Sequence, residues 1–132
     1  MSAWRDLISR IRRPCTVLIV EHQALIAQDL AALVHEVGGS VIGIAEDTVD
    51  ALLLAAEHVP DVAIVDIDVP ADVDAVRVAR EIRDMTDASI IFCGHDDLST
   101  QARLLAFGRV QLLPKPVDFE SLSRAMLRVC PT

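Results

Sequence analysis

The sequence has no tyrosine, no asparagine and a single lysine, Lys115, and it has no long apolar run. Its longest uninterrupted apolar stretch is the six residues 51–56, whereas a membrane-spanning helix needs about 20. Secretion signals contain an apolar core, which the opening residues lack. We therefore expect a soluble, cytoplasmic chain that makes no contact with a membrane.

Cysteine is also scarce. The three cysteines, Cys15, Cys93 and Cys130, are an odd number and include no C-x-x-C pair. They therefore predict neither a disulfide framework nor a paired-cysteine motif for zinc or redox chemistry. We expect all three to be free thiols.

Basic residues are outnumbered by acidic ones, and the net charge is −8. Proteins that read nucleic acids need clustered lysine and arginine to neutralise phosphates, so we expect no nucleic-acid partner. The 132 residues suffice for one domain core. The first 14 residues differ from the rest because they carry four arginines and one aspartate. We therefore divide the chain into a basic segment, residues 1–14, and one folded domain, residues 15–132.

The basic segment has the pattern of an amphipathic helix. Ser2 can cap such a helix and Pro14 ends it, and the apolar residues at helical spacing form one stripe: Trp4, Leu7, Ile8 and Ile11. A helix this short is marginal in water unless it docks. Its docking surface is the body of its own domain, a second copy in a homodimer, or another partner.

From Cys15 onward, short β-branched apolar runs alternate with helical patterns, which predicts five βα units. Strands are predicted at 16–20, 41–45, 62–65, 90–92 and 110–113. Helices are predicted at 24–37, from Asp47 or Thr48 to just before Pro60, at 73–84, around Leu98 to Leu105, and at 118–129. In the second helix we expect Leu52, Leu53 and Ala56 to face inward. The fold class is α/β, a parallel sheet with helices on both faces.

Polar side chains follow the predicted strands at their carboxyl ends. Ligands of open α/β sheets bind outside this edge. The first strand is followed by Glu21 and His22, the third by Asp66 and Asp68, the fourth by Cys93, Gly94 and His95, and the fifth by Lys115. The coincidence on several strands predicts a functional site there.

Three stretches resemble receiver domains of bacterial two-component response regulators: ValLeuIleValGlu at 17–21, AspValAlaIleValAspIleAspValPro at 61–70, and LysPro at 115–116. The resemblance covers residues 15–130. It implies the flavodoxin-like strand order 2-1-3-4-5 and a cis peptide bond between Lys115 and Pro116. It also implies a non-enzymatic signalling protein that receives phosphate from a histidine kinase or a phosphotransfer protein.

The resemblance assigns roles residue by residue. Asp66 matches the phosphate-accepting aspartate, and Lys115 matches the lysine that contacts the phosphoryl oxygens. Cys93 stands at the position of the Thr or Ser whose hydroxyl reports phosphorylation. A Mg²⁺ site is implied at Glu21, His22, Asp66 and Asp68.

Four positions depart from the family pattern. His22 replaces the second acidic residue, and Mg²⁺ prefers carboxylate and water oxygens. Cys93 replaces a hydroxyl with a weaker donor, Leu112 replaces the usual aromatic residue, and Asp74 stands where the loop commonly has glycine. We therefore expect a divergent receiver with a weakened Mg²⁺ site that accepts phosphate slowly on Asp66.

The remaining residues leave no room for an output domain, so we expect a stand-alone receiver that signals through protein contacts. The family uses the surface corresponding to residues 97–129. Its outward arginines either form an electrostatic docking face or only solvate helix ends: Arg103, Arg109, Arg124 and Arg128.

Three alternatives stay open. One is an interaction module that keeps the fold and works without phosphorylation. A more remote one is a phosphatase-like enzyme, because Asp66 and Asp68 resemble the acidic pair of haloacid-dehalogenase-type phosphatases. The third concerns the metal, since His22, Asp66 and Cys93 together offer ligands that suit zinc.

Overall fold

The structure, a computed structural model, describes residues 13–70, 73–108 and 110–131. The predicted helix in the basic segment lies outside the described residues. Five strands form one sheet in the order β2-β1-β3-β4-β5, with every neighbouring pair parallel. The predicted fold class and strand order are therefore confirmed. Within the described ranges, no helix combines the length and apolarity that crossing a membrane requires.

The strands and helices alternate strictly along the chain. The strands are β1 (Thr16–Val20), β2 (Ser40–Ala45), β3 (Val62–Asp66), β4 (Ser89–Gly94) and β5 (Gln111–Pro114). The helices are α1 (Ala24–Glu36), α2 (Thr48–His58), α3 (Ala75–Thr86), α4 (Leu98–Leu105) and α5 (Phe119–Val129). These bounds lie within two residues of the predicted ones.

Aspartates start four of the five helices, at the carboxyl edge of the sheet. The side chains of Asp47, Asp74, Asp97 and Asp118 each accept a hydrogen bond from the backbone N–H three residues further on. Such caps satisfy otherwise unpaired N–H groups of the first turn. Asp74 explains why α3 begins at Ala75 and not, as predicted, at Val73.

Both faces of the sheet are covered, so the strands need no alternation of apolar and polar residues. Side chains such as Leu18, Val65 and Phe92 pack against α2, α3 and α4. Their strand neighbours Ile19 and Ile64 pack against α1 and α5. The central strand β3 is buried over its whole length.

The apolar patterns of two helices do not mark their buried faces. In α2, Leu53 is exposed, and the core contacts are made by Ala51 and Ala55. The inward placement predicted for Leu53 and Ala56 is therefore wrong, because small residues approach the sheet there and the larger leucine stays outside. In α4, Leu98 is 83% exposed and Leu105 is 81% exposed.

Cys15 and Cys130 are joined by a disulfide, with their Cα atoms 5.6 Å apart. The prediction of free thiols is therefore wrong for these two residues. Cys15 precedes β1 and Cys130 follows α5, and the fold brings both to the amino edge of the sheet. The two residues are 115 positions apart, so no local pattern in the sequence indicates that they meet. Cys93 is free and buried.

Candidate functional site

Four strands deliver polar side chains to one point at the carboxyl edge of the sheet. Glu21 follows β1, Asp66 ends β3, Cys93 lies on β4, and Lys115 follows β5. Asp66 pairs with Cys93 in the strand register, and the backbone N–H of Lys115 donates to the Gly94 carbonyl at 3.2 Å. The structure thus brings together residues that are up to 94 positions apart in the chain.

Lys115 lies between two buried carboxylates. Its Nζ donates to Glu21 Oε2 at 2.8 Å and to Asp66 Oδ1 at 2.9 Å, and each of these acids is only 1% exposed. Burial opposes the ammonium charge, but the hydrogen bonds to both carboxylates outweigh it and raise the pKa of Lys115. One ammonium therefore holds two acidic side chains in place.

Asp66 has hydrogen-bond partners on both carboxylate oxygens. Oδ1 accepts from Lys115 and from the backbone N–H of Asp68 at 2.8 Å, and Oδ2 lies 3.2 Å from His22 Nδ1. Burial raises the pKa of Asp66, the nearby Glu21 charge adds to this effect, and the hydrogen bonds from Lys115 and Asp68 only partly offset it. Keeping Asp66 ionised at this position therefore costs free energy.

His22 lies against both acids. Its Nδ1 is 3.2 Å from Asp66 Oδ2 and 3.5 Å from Glu21 Oε1, and its side chain is about one-third exposed. The imidazole therefore borders the space between the carboxylates, where a second acidic residue would add negative charge. The ring and Asp66 both line one cavity beside the site.

Asp68 does not join the acidic pair. Its carboxylate accepts from the backbone N–H of His95 at 3.0 Å and lies 2.6 Å from His95 Nδ1. Gly94 permits this approach, because a Cβ there would lie 2.9 Å from Asp68 Oδ1. Sequence reasoning placed His95 at this edge but missed the Asp68–His95 pair. The only available signal was the glycine that precedes His95.

Cys93 completes the floor of the site. Ligand atoms of Glu21, Asp66 and Cys93 lie within 4.8 Å of one another, and His22 is not part of this group. Burial raises the pKa of the Cys93 thiol to about 12. Among the described residues, the predicted zinc set of His22, Asp66 and Cys93 is not assembled as one group, because His22 is replaced in it by Glu21.

These residues lie in a segment, 17–127, that matches the family model of the response regulator receiver domain. The chain belongs to the receiver family. The transcriptional regulatory protein PdtaR of Mycobacterium tuberculosis is 35% identical over 116 residues, which are 86% of this chain and 55% of PdtaR. The transcriptional regulatory protein PhoP of Escherichia coli is 30% identical over 112 residues, 83% of this chain and 49% of PhoP. The chain thus spans about half the length of these relatives.

Solved receiver structures share the fold. The signal receiver domain of a modulated diguanylate cyclase from Desulfovibrio desulfuricans has a TM-score of 0.79 at 29% identity and covers 89% of this chain and 94% of its own. The PhyR stress response regulator has a TM-score of 0.71 at 27% identity and covers 95% of this chain and 49% of its own. As the resemblance implied, the bond between Lys115 and Pro116 is cis.

Receivers bind Mg²⁺ at an acidic site, and this receiver offers two converging carboxylates, Glu21 and Asp66. Carboxylate oxygens suit this hard cation, whereas the Cys93 thiol and the His22 imidazole do not. The residues present therefore fit Mg²⁺ with fewer anionic ligands than the sequence pattern of the family implies.

The receiver site opens on two sides. One cavity, of about 230 Å³, is bordered by His22, Asp66 and Pro70. The other, of about 430 Å³, is bordered by Cys93, Lys115 and residues of α1 such as Leu30. Asp66 therefore borders one cavity and Lys115 the other, although both side chains are largely buried.

Proposed function

We propose that this chain is a cytoplasmic receiver that accepts a phosphoryl group on Asp66, slowly, from a histidine kinase or a phosphotransfer protein. The observation that carries the proposal is the buried Asp66 carboxylate held 2.9 Å from the only lysine of the chain. A general surface role for Lys115 does not account for its two short bonds to buried acids. The proposal includes no enzymatic turnover and no nucleic-acid contact.

The transfer is a displacement at phosphorus. An Asp66 oxygen forms the new P–O bond while the P–N bond of the phosphohistidine breaks, and its electron pair returns to the donor imidazole. Lys115 stays close as a point charge on the phosphoryl oxygens. For this contact the ammonium exchanges one carboxylate partner for the incoming group.

Glu21 and Asp66 are the residues that would hold Mg²⁺, which neutralises charge on the phosphoryl oxygens when bound. Asp68 contributes only if it exchanges His95 for the cation. His22 supplies no anionic oxygen and lies against Asp66 Oδ2. We therefore expect phosphorylation that needs more Mg²⁺ than a receiver with a second acid at this position.

The signal leaves through the surface formed by residues 97–129. On α4, Leu98 and Leu105 are 83% and 81% exposed, and Arg103 is exposed beside them. On α5, Leu127 is 78% exposed and Arg124 pairs with the exposed Glu120. Exposed leucines with an arginine rim favour an acidic protein partner. Arg109 lies outside the described residues.

The deciding experiment treats the protein with a small phosphodonor and Mg²⁺ and measures intact mass over time. We expect slow gain of one phosphoryl group, and no gain in Asp66→Asn. His22→Asp should accelerate the gain and lower the Mg²⁺ concentration for half-maximal rate by about tenfold or more. His58→Asp is the matched control, because His58 is exposed at the end of α2 that lies away from the Asp66 site.

A second function is favoured by one observation, namely that Lys115 and His22 already engage both Asp66 oxygens without phosphate. If the wild type gains no mass under saturating donor and metal while His22→Asp does, the chain is a phosphorylation-independent interaction module. If neither protein gains mass, the assignment of Asp66 is wrong. Among the described residues, the Asp68 carboxylate pairs with His95 and not with Asp66, so the acidic pair of a phosphatase-like enzyme is not assembled.

The basic segment, residues 1–14, remains a predicted docking element, and we include homodimerisation through it in the proposal. Light scattering of the full chain and of a chain lacking residues 1–13 tests this. A full-length protein that is monomeric at high micromolar concentration contradicts the dimer. Unchanged melting after the deletion also contradicts packing on the chain's own domain.

A further inference from the structure

We propose that Cys15 and Cys130 form a reversible thiol–disulfide site whose substrates are small disulfides and thiols of the glutathione class. Closing the site fixes the end of α5 against the start of β1, and opening it releases that end. The inference rests on the proposed cytoplasmic function only for its setting, a compartment in which such disulfides are usually transient or redox-sensing.

The two cysteines are placed where exchange can occur. Both side chains are half-buried, and a groove of about 180 Å³ opens beside them, bordered by Val37, Gly39, Met126 and Leu127. Exposed disulfides are the more easily reduced and regulatory ones, and this pair is partly exposed. A small thiol can therefore reach this pair from the groove.

The local backbone allows the bond to open without unfolding a helix. Cys130 lies just beyond α5 with an extended backbone, φ −73° and ψ 141°, and its N–H donates to the Met126 carbonyl at 2.8 Å. Cys15 precedes β1, and its carbonyl accepts from Ser40 N–H at 2.8 Å. Neither of these two backbone hydrogen bonds involves a sulfur atom, so both can persist when the disulfide is reduced to two thiols.

Cys93 provides the contrast within the same chain. It is 1% exposed, has no cysteine neighbour and lies on the floor of the Asp66 site. Because its sulfur is buried, a small thiol or disulfide cannot reach it, and exchange requires access to the sulfur. Cys15 and Cys130 are therefore the reactive pair for two reasons: they lie next to each other, and both are partly exposed.

The exchange balances in two steps. One cysteine thiolate attacks a sulfur of the oxidised small disulfide, forms a mixed disulfide and releases one small thiolate. The second cysteine thiolate then attacks the protein sulfur of the mixed disulfide and releases the second small thiolate. The two protons lost by the cysteines end on the released thiols, so the cysteines are oxidised and the small disulfide is reduced.

The bond connects two regions that the proposed function uses separately. Cys15 directly follows the basic segment, residues 1–14, and Cys130 directly follows α5, which contributes Arg124 and Leu127 to the signalling surface. When closed, the site ties the base of the segment to the last turn of α5. When open, that turn keeps only its packing and backbone bonds.

The first test equilibrates the full chain in glutathione buffers of different reduced-to-oxidised ratio, alkylates the free thiols and measures intact mass. We expect two alkyl groups to appear together as the buffer becomes reducing, at Cys15 and Cys130 by peptide mapping. Cys93→Ser should keep the same midpoint. Cys130→Ser should lose the paired transition. Independent modification of the two cysteines, or a pair that stays closed in fully reducing buffer, overturns the proposal.

The second test measures deuterium uptake and melting in both states without a phosphodonor. Opening should make exchange in peptides of α5 about tenfold faster while β4 is unaffected, and should lower the Tm by roughly 10 °C. Asp66→Asn should respond like the wild type, so this result does not depend on phosphorylation. Unchanged exchange in α5 on opening overturns the proposed release of that helix.

Discussion

Two clusters of acid and base, at opposite edges of the same sheet, are built in opposite ways. At the amino edge, the Asp61 carboxylate accepts hydrogen bonds from Arg13 Nη1 at 2.8 Å, from Arg13 Nη2 at 2.9 Å and from the Thr16 N–H at 2.9 Å. At the carboxyl edge, Lys115 is shared between Glu21 and Asp66. The first cluster has one carboxylate with several donors, and the second has two buried carboxylates for one ammonium.

The pKa of an aspartate is consequently shifted in opposite directions at the two edges. The hydrogen bond from Arg13 lowers the pKa of Asp61, with help from Thr16. Burial raises the pKa of Asp66, with help from the Glu21 charge. The amino-edge cluster therefore stabilises the fold, whereas an ionised Asp66 at the carboxyl edge costs stability.

The largest effect should come from Lys115→Met. Removing the ammonium leaves Glu21 and Asp66 buried without their shared cation, which should lower the free energy of unfolding by about 3–5 kcal/mol at pH 7. Urea denaturation measures the loss. It should shrink as the pH falls, since Asp66, whose pKa burial raises, can then take up a proton.

The matched control for that variant is Arg124→Met, because Arg124 pairs with Glu120 on an exposed helix face. Surface ion pairs contribute little to stability, so this variant should unfold at the same urea concentration as the wild type. Equal losses in both variants would show that Lys115 is no more than a surface cation.

An intermediate effect should come from Asp61→Ala at the amino edge. The variant leaves the Thr16 N–H without its acceptor and should lose about 1–3 kcal/mol of unfolding free energy. Arg13→Ala, which removes only the exposed partner, should lose less. Urea denaturation of both variants at pH 7 measures the order.

The pH dependence of that loss follows from the lowered pKa of Asp61. The folded chain binds this proton more weakly than the unfolded chain, so the contribution is complete above the ordinary value of 3.8. It disappears as the pH falls through the lowered value. A difference between Asp61→Ala and wild type that is as large in strong acid as at pH 7 would contradict this account.

The smallest effect, and the one of opposite sign, should come from Asp66→Asn. Because the folded pKa of Asp66 is raised, ionised Asp66 costs stability, and this cost grows as the pH rises from 3.8 through the folded value. Removing the charge should raise the free energy of unfolding at pH 7 by about 1 kcal/mol. Thermal melting between pH 4 and pH 8 measures it.

Asp61→Asn is the counterpart at the other edge and should destabilise the chain. If both asparagine variants change stability in the same direction, the contrast between the two clusters is wrong. The comparison needs no phosphodonor or metal, so it is independent of the proposed function.

Much of the carboxyl edge could be predicted from the sequence. Asp66 and Cys93 each lie at the end of an apolar run, and parallel strands bring such ends together. The Asp68–His95 pair could not be predicted, because it depends on how closely two loops approach at Gly94. The exposure of Leu98 and Leu105 was equally hidden, since helical spacing shows which residues share a side but not which side meets the sheet.

The sequence by itself determined the order of elements, the start of α2 at Asp47 or Thr48 and the set of residues at the strand ends, because these follow from local spacing and capping. Only the tertiary structure decided which charges share a partner and which cysteines meet. Lys115 reaches Glu21 across 94 residues, and Cys15 reaches Cys130 across 115. Such contacts depend on the packing of whole helices against the sheet, and no local pattern in the chain encodes the distance between its ends.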